Sequence, residues 1–229
     1  MKYTITLFLI SFLTLNSRGY ENKIKINTSD LPVIITLPTT AKSESLVLFI
    51  SGDGGWNNFD KDLSQKYAEQ GFTVVGLNSL KYFWEKKSPE QAALDVSALL
   101  KNYMGIYKKN KIILCGYSFG ADVLPFIYNR LPVEMKNKVG HIQLLSPASF
   151  TDFEIHISDL FSTKNSVRSY QVGTEIQKIN NIPVTCFYGR EESEKPLKSV
   201  KLPNFKILIL NGDHHYNNNT TSIVRSVVN

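Results

Sequence analysis

Lys111-Ile112-Ile113-Leu114-Cys115-Gly116-Tyr117-Ser118-Phe119-Gly120-Ala121-Asp122 is the stretch whose reading decides the fold. Its first half is an unbroken apolar run, the pattern of a strand buried on both faces. A helix-like stretch follows from Phe119 to about Asn129. Between them lies Gly116-Tyr117-Ser118-Phe119-Gly120, a G-x-S-x-G pentapeptide set at a strand-to-helix turn. That context raises a nucleophilic serine above the edge of a sheet. Ser118 is therefore expected on a strained turn, with glycines at 116 and 120 letting strand and helix crowd it. The backbone N–H of Phe119, opening the helix, is expected to face a developing oxyanion.

Upstream, Leu46 to Ile50 reads as another buried strand, running into Ser51-Gly52-Asp53-Gly54-Gly55-Trp56. A glycine-rich turn after a central strand supplies the second oxyanion donor in hydrolases with this elbow, here the backbone of Asp53 or Gly54. Asn57 to Gln70 follows as an amphipathic helix closed by Gly71, and Phe72 to Leu77 as a strand. Ser88-Pro89-Glu90-Gln91 opens a helix whose apolar residues Ala92, Val96, Leu99, Leu100 and Tyr103 recur at helical spacing. Nearer the start, Lys23 to Asn27 and Leu31 to Leu37 read as two short strands. Downstream, Val139 to Leu145 is a strand closed by Ser146-Pro147. This alternation predicts an α/β fold, a mainly parallel sheet with helices on both faces.

Phe150 to about Gln177 breaks the rhythm and reads as a cap-like insertion over the sheet, residues 150–177, with Thr151 to Ser158 alternating like an exposed strand. The rhythm resumes with Val184 to Tyr188, a short helix around Lys195 to Val200, Phe205 to Leu210, and a last helix over roughly Thr220 to Val228.

With this elbow the catalytic partners follow in the order serine, acid, histidine. The loop after Val184–Gly189 reads Arg190-Glu191-Glu192-Ser193-Glu194, and Glu192 is the first choice of acid, with Glu191 and Glu194 as rivals. The loop after Phe205–Leu210 reads Asn211-Gly212-Asp213-His214-His215-Tyr216. His214 is the expected base, with His215 packing or hydrogen-bonding beside it. The acid would hold the imidazole tautomer and stabilise the imidazolium. The other two of the chain's four histidines, His141 and His156, sit elsewhere. No Asp/Glu/Cys set at ligand spacing accompanies the paired histidines, so neither metal nor cofactor is expected. The chemistry indicated is ester cleavage by a serine nucleophile.

The totals set limits. A 229-residue chain with 42% hydrophobic and 20% charged residues suits one globular domain. Its net charge is +6, but no basic stripe alternates with aromatics, so nucleic acid is not an expected partner. Weak attraction to anionic membrane surfaces fits the charge. Met1 to Gly19 reads as a secretory signal: Lys2, an apolar Tyr3–Leu15, and Ser17-Arg18-Gly19 before Tyr20. Cleavage would export a mature chain of residues 20–229; losing Lys2 and Arg18 would take the charge from +6 to +4. Cys115 and Cys186 both lie in strand-like runs and are expected as buried free thiols.

Several stretches together resemble a known family. They are Ser51-Gly52-Asp53-Gly54-Gly55-Trp56, then Leu77-Asn78-Ser79-Leu80-Lys81-Tyr82-Phe83-Trp84 with Ser88-Pro89-Glu90-Gln91 and Asp95. Gly116 to Phe126, Phe153-Glu154-Ile155-His156 and His214-His215 complete the set. These resemble the VirJ family of bacterial virulence proteins and the hydrolase domain of AcvB, from about Leu46 to Tyr216. The resemblance implies an α/β-hydrolase fold and a periplasmic location. It implies activity on aminoacylated lipid such as lysyl-phosphatidylglycerol, or a role beside virulence-factor secretion proteins. Ser118 matches the family's elbow serine and His214 its first paired histidine. Asp213 stands where the family tends to have glycine, and the aspartate and cysteine of the family's acid loop have no match here. A cationic aminoacyl ester needs a carboxylate near the pocket; Asp53, Asp122 and Glu154 are the candidates, with Trp56 as a further substrate contact.

Overall fold

From residue 45 onward, strand and helix alternate along most of the described chain. The computed structural model describes residues 28–39, 43–155 and 168–228. The expected leader at 1–19, the expected strand at 23–27, and residues 156–167 of the insertion, His156 among them, lie outside the described residues.

The strands are β1 (Val33–Thr36), β2 (Ser45–Ile50), β3 (Thr73–Leu77), β4 (Lys111–Tyr117), β5 (Val139–Leu145), β6 (Phe150–Thr151), β7 (Tyr170–Gln171), β8 (Val184–Gly189) and β9 (Phe205–Leu210). The helices are α1 (Asn58–Glu69), α2 (Ser79–Tyr82), α3 (Pro89–Tyr107), α4 (Phe119–Arg130), α5 (Val133–Lys136), α6 (Val172–Ile176) and α7 (Thr220–Arg225). Seven strands form one sheet in the order β1-β3-β2-β4-β5-β8-β9. Only β1 runs antiparallel, against β3; the other pairings are parallel. The fold is the doubly covered, mainly parallel sheet that the alternation predicts.

Period-2 alternation divides the strands between two apolar layers. Leu46, Leu48, Ile50, Ile112 and Leu114 face the layer that contains α3 and α4. Val47, Phe49, Val74, Ile113, Cys115 and Tyr117 face the layer containing Phe59, Leu63 and Tyr67 of α1 and Ile223 and Val224 of α7. Helix starts follow their caps. The Asn57 side chain accepts from the N–H groups of Phe59 (2.9 Å) and Asp60 (3.4 Å), and Asp60 Oδ2 accepts from the Asn57 N–H (2.9 Å). Ser88 Oγ accepts from the Gln91 N–H at 3.1 Å. Cys115 and Cys186 are buried free thiols on β4 and β8, with β5 between them.

The entry to the insertion departs from the exposed strand expected at Thr151–Ser158. Pairing stops after β6, which meets β7. Thr151, Phe153 and Ile155 are buried rather than exposed. The alternation is real, but its apolar side faces the domain. The Phe153 ring meets Phe83 and Phe126, both at 5.9 Å, and Tyr170 at 5.3 Å. The backbone is pinned by Lys87 N–H to Phe153 O and Ile155 N–H to Phe83 O, each 2.9 Å.

Candidate active site

Ser118 stands alone between the end of β4 and the start of α4, at φ 51° and ψ −119°. A non-glycine residue in that region is strained and needs surroundings that over-determine it. Those surroundings are close backbone. A side chain on Gly116 would collide with the Gly120 carbonyl, and one on Gly120 with the Ile50 carbonyl. Hydrogen bonds complete the turn: the Ser118 N–H donates to Leu145 O (2.8 Å), and Ser118 O accepts from Ala121 N–H (2.8 Å) and Asp122 N–H (3.1 Å). Ser118 itself is half-buried.

The acid and histidine loops leave the carboxyl ends of β8 and β9, which lie on the same side of β4 in the sheet. Glu192 Oε2 lies 3.2 Å from His214 Nδ1. Its Oε1 accepts from Ser146 Oγ at 2.7 Å and from the Gly189 N–H. Burial pushes this carboxyl up, but the bonds from His214, Ser146 and Gly189 outweigh it and hold it below the ordinary range. The rival glutamates 191 and 194 are exposed; the N–H of Glu191 donates to Gly212 O (3.0 Å) and ties the two loops together.

His214 rests against the residue before the serine. The Tyr117 and His214 rings are 5.3 Å apart, and Tyr117 Oη donates to His214 O at 3.4 Å. His215 turns aside, edge-on to Phe59 at 5.7 Å, with its N–H donating to Asp213 Oδ1 at 2.8 Å. Among the described residues, Ser118 Oγ makes no hydrogen bond. Glu192 and His214 are thus hydrogen-bonded to each other, while Ser118 Oγ and the His214 ring are not.

At the glycine-rich turn, Gly55 N–H bonds Gly52 O at 3.1 Å and brings the two glycines into a bridge. The Gly54 N–H donates to Asp53 Oδ1 at 2.9 Å. Of the two residues expected to supply the second oxyanion donor, Gly54 thus has its N–H engaged by a neighbouring carboxylate.

A family model for the bacterial virulence protein VirJ matches residues 44–229. The chain belongs to the VirJ family. A sequence search of curated proteins matched none of them. Among solved structures, the chain is similar to Est1E from Butyrivibrio proteoclasticus at TM-score 0.60, with 13% identity over 86% of this chain and 90% of that one. It is also similar to the Pyrococcus furiosus esterase Pf2001 (TM-score 0.58, 16% identity, 81% and 79% covered). A third is the thioesterase domain from the curacin biosynthetic pathway (TM-score 0.57, 14% identity, 86% and 94% covered). At these identities the likeness is one of fold, and that fold is the α/β-hydrolase fold.

Four residues of this VirJ-family chain expected at a substrate pocket are placed as follows. Trp56 packs into the apolar layer on the α1 side: its ring meets Phe49 at 5.4 Å and covers Gly76, where any side chain would collide with the indole. The missing side chain at Gly76 leaves room for the ring on the sheet, and the rest of Trp56 stays partly exposed. Asp122 is 3% exposed and its Oδ1 accepts from the Ala148 N–H at 2.6 Å. Burial pushes its carboxyl up to about 8, which disfavours the charge that pairing with an ammonium needs. Glu154 is half-buried between Phe153 and Ile155. Asp53 stays half-exposed; a side chain added to its neighbour Gly52 would meet Ser118 Cβ at 3.5 Å. Two residues that sequence reasoning passed over also belong here. Ser146 and Tyr216 lie behind Glu192, and the only prior signal was a serine closing the strand between those of the nucleophile and the acid.

Proposed function

We propose that this VirJ-family protein is a serine hydrolase that cleaves a carboxylic ester. The observation that carries the reading is the strained backbone of Ser118, held at a strand-to-helix turn on the sheet edge where Glu192 already orients His214. Strain of this kind at an otherwise well-packed turn points to function.

In this reading Ser118 Oγ attacks the ester carbonyl carbon while His214 takes its proton. The tetrahedral oxyanion is met by the N–H of Phe119 at the start of α4 and by the N–H of Asp53, since the Gly54 N–H faces the Asp53 carboxylate. His214 returns the proton to the departing alcohol, leaving an acyl–Ser118 ester. Water, deprotonated by His214, then releases the acid and regenerates the serine. Glu192 keeps the Nδ1 proton on its own side and stabilises the imidazolium.

The resemblance to the AcvB hydrolase domain suggests an aminoacyl phospholipid of the lysyl-phosphatidylglycerol type as substrate, met at a membrane surface by an exported, periplasmic protein. With Asp122 buried and Trp56 packed on the sheet, we assign the substrate ammonium to Asp53. A fluorophosphonate probe is expected to label the wild type and not Ser118→Ala, with both folded. Wild-type protein is expected to deplete lysyl-phosphatidylglycerol in vesicles, and Asp53→Asn to lose its preference for lysyl over neutral acyl esters. A folded wild type that takes no label would instead support a non-catalytic partner of a secretion apparatus.

A further inference from the structure

Glu192 is approached from behind by a short donor chain. Ser146 Oγ donates to Glu192 Oε1 at 2.7 Å, and Tyr216 Oη lies 2.5 Å from the same Ser146 Oγ. A serine hydroxyl has one hydrogen. With that hydrogen given to Glu192, Tyr216 must be the donor to Ser146. Tyr216 is fully buried and Ser146 nearly so. The result is a one-directional line: Tyr216 to Ser146 to Glu192, with His214 donating to the other carboxylate oxygen.

The backbone is bent to build this line. Ser146 sits at φ 51°, a left-handed conformation that glycine adopts freely and serine does not. Its N–H is used by Phe187 O at 2.8 Å, a bond that any residue can make. What serine adds over glycine at this position is the hydroxyl. Tyr216, Asn217 and Asn218 are likewise left-handed, at φ 56°, 49° and 57°, directly after the paired histidines. That run ends the histidine loop with the Tyr216 ring turned inward, 6.0 Å from Phe59.

We propose that Ser146 and Tyr216 are positioning residues: their donor chain fixes the rotamer of Glu192, and through it the orientation of His214. Two donors on Oε1, from Ser146 and Gly189, leave Oε2 as the oxygen turned to the imidazole. Without the hydroxyl, the carboxylate is free to rotate on the remaining Gly189 bond. The proposal rests on the serine-hydrolase reading of the site, but its test has an arm that does not.

The test compares wild type, Ser146→Gly, Tyr216→Phe and Glu192→Gln by thermal unfolding, p-nitrophenyl ester kinetics and proton NMR of the His214 Nδ1–H. Glycine relieves the left-handed strain as it removes the hydroxyl, so Ser146→Gly is expected to unfold within a few degrees of wild type. It is nonetheless expected to lose about ten- to a hundredfold in kcat with KM within twofold, the cost of a misplaced catalytic group. Tyr216→Phe is expected to shift kcat in the same direction by less. In wild type the ring N–H is expected as a downfield resonance, lost in Glu192→Gln and shifted or broadened in Ser146→Gly. An unchanged resonance in both Ser146→Gly and Tyr216→Phe overturns the proposal, as does unchanged kcat in both. If wild type neither hydrolyses esters nor takes the fluorophosphonate, the hydrolase reading fails, and the resonance alone decides whether the chain orients Glu192.

Discussion

Glu192 shows how the proposed site depends on single side chains. Three glutamates within four residues offer the same chemistry, and only one of them reaches His214. Glu192 is the one whose neighbours ionise it: Ser146, the Gly189 N–H and His214 all donate to it. Glu192→Gln preserves the shape but offers an amide where a carboxylate faced the imidazole. It is expected to lower kcat by about 10³-fold or more, as tautomer control is lost. Glu191→Gln and Glu194→Gln, both at exposed positions, are expected to stay within twofold of wild type in the same assay. Equal losses in all three would show that loop charge, rather than one oriented carboxylate, is what matters. The loop itself was readable from the order serine, acid, histidine. Glu192 was the first choice within it, but its rivals stayed open there, because its contacts with His214 and with Ser146, 46 residues away, are tertiary.

At the scale of elements, strands and long helices were legible because their signal is periodic and local. β2, β4, β5, β8 and β9 are runs of apolar residues, and α1 and α3 begin at the caps Asn57 and Ser88. The four-residue helices α2 and α5 escaped notice, since four residues are too few to show a helical period. The packing of Trp56 was hidden for a different reason: nothing in a glycine-rich loop announces that the sheet brings Gly76 beneath the indole. Gly76→Ala places a methyl where the indole lies. It is expected to destabilise the domain by about 1–3 kcal/mol through overpacking. Esterase KM is expected to be unchanged, because Trp56 supports the layer and not the substrate. Chemical denaturation together with steady-state kinetics checks both; a raised KM at wild-type stability would return Trp56 to the pocket.

For the whole molecule, two buried acids set the response to pH. Asp60 is fully buried: the Asn57 N–H holds its Oδ2, while Oδ1 has no partner among the described residues. Burial pushes its carboxyl up from 3.8 to about 7, and that of Asp122 up to about 8. The folded state then binds protons that the unfolded chain has released, so stability falls as pH rises from about 4 through 7 to 8. Glu192 and Glu175 act the other way. Their carboxyls are held below the ordinary value despite burial, and the stability they contribute is lost as pH falls through their folded range. Maximum stability is therefore expected on the mildly acidic side of neutral. Asp60→Asn is expected to stabilise the protein by about 2–4 kcal/mol at pH 8 and by little at pH 4. Unfolding curves across that range check the sign, and a variant equally stabilised at both ends would contradict it.

Local order in the chain was enough to determine the mainly parallel sheet, the strained turn at Ser118, and the loops that hold the acid and the histidine. The reason is that hydrophobic period and steric crowding at glycines act over a few residues. The tertiary structure decided that Glu192, rather than its rivals, meets His214, that Asp122 is buried, that Trp56 lies on the sheet, and that Ser146 and Tyr216 stand behind Glu192. Each of those is a contact between segments brought side by side by the strand order β4-β5-β8-β9 or by packing across the sheet. Ser146 and Tyr216 are 70 residues apart, and no spacing along the chain announces a hydrogen bond made across that gap.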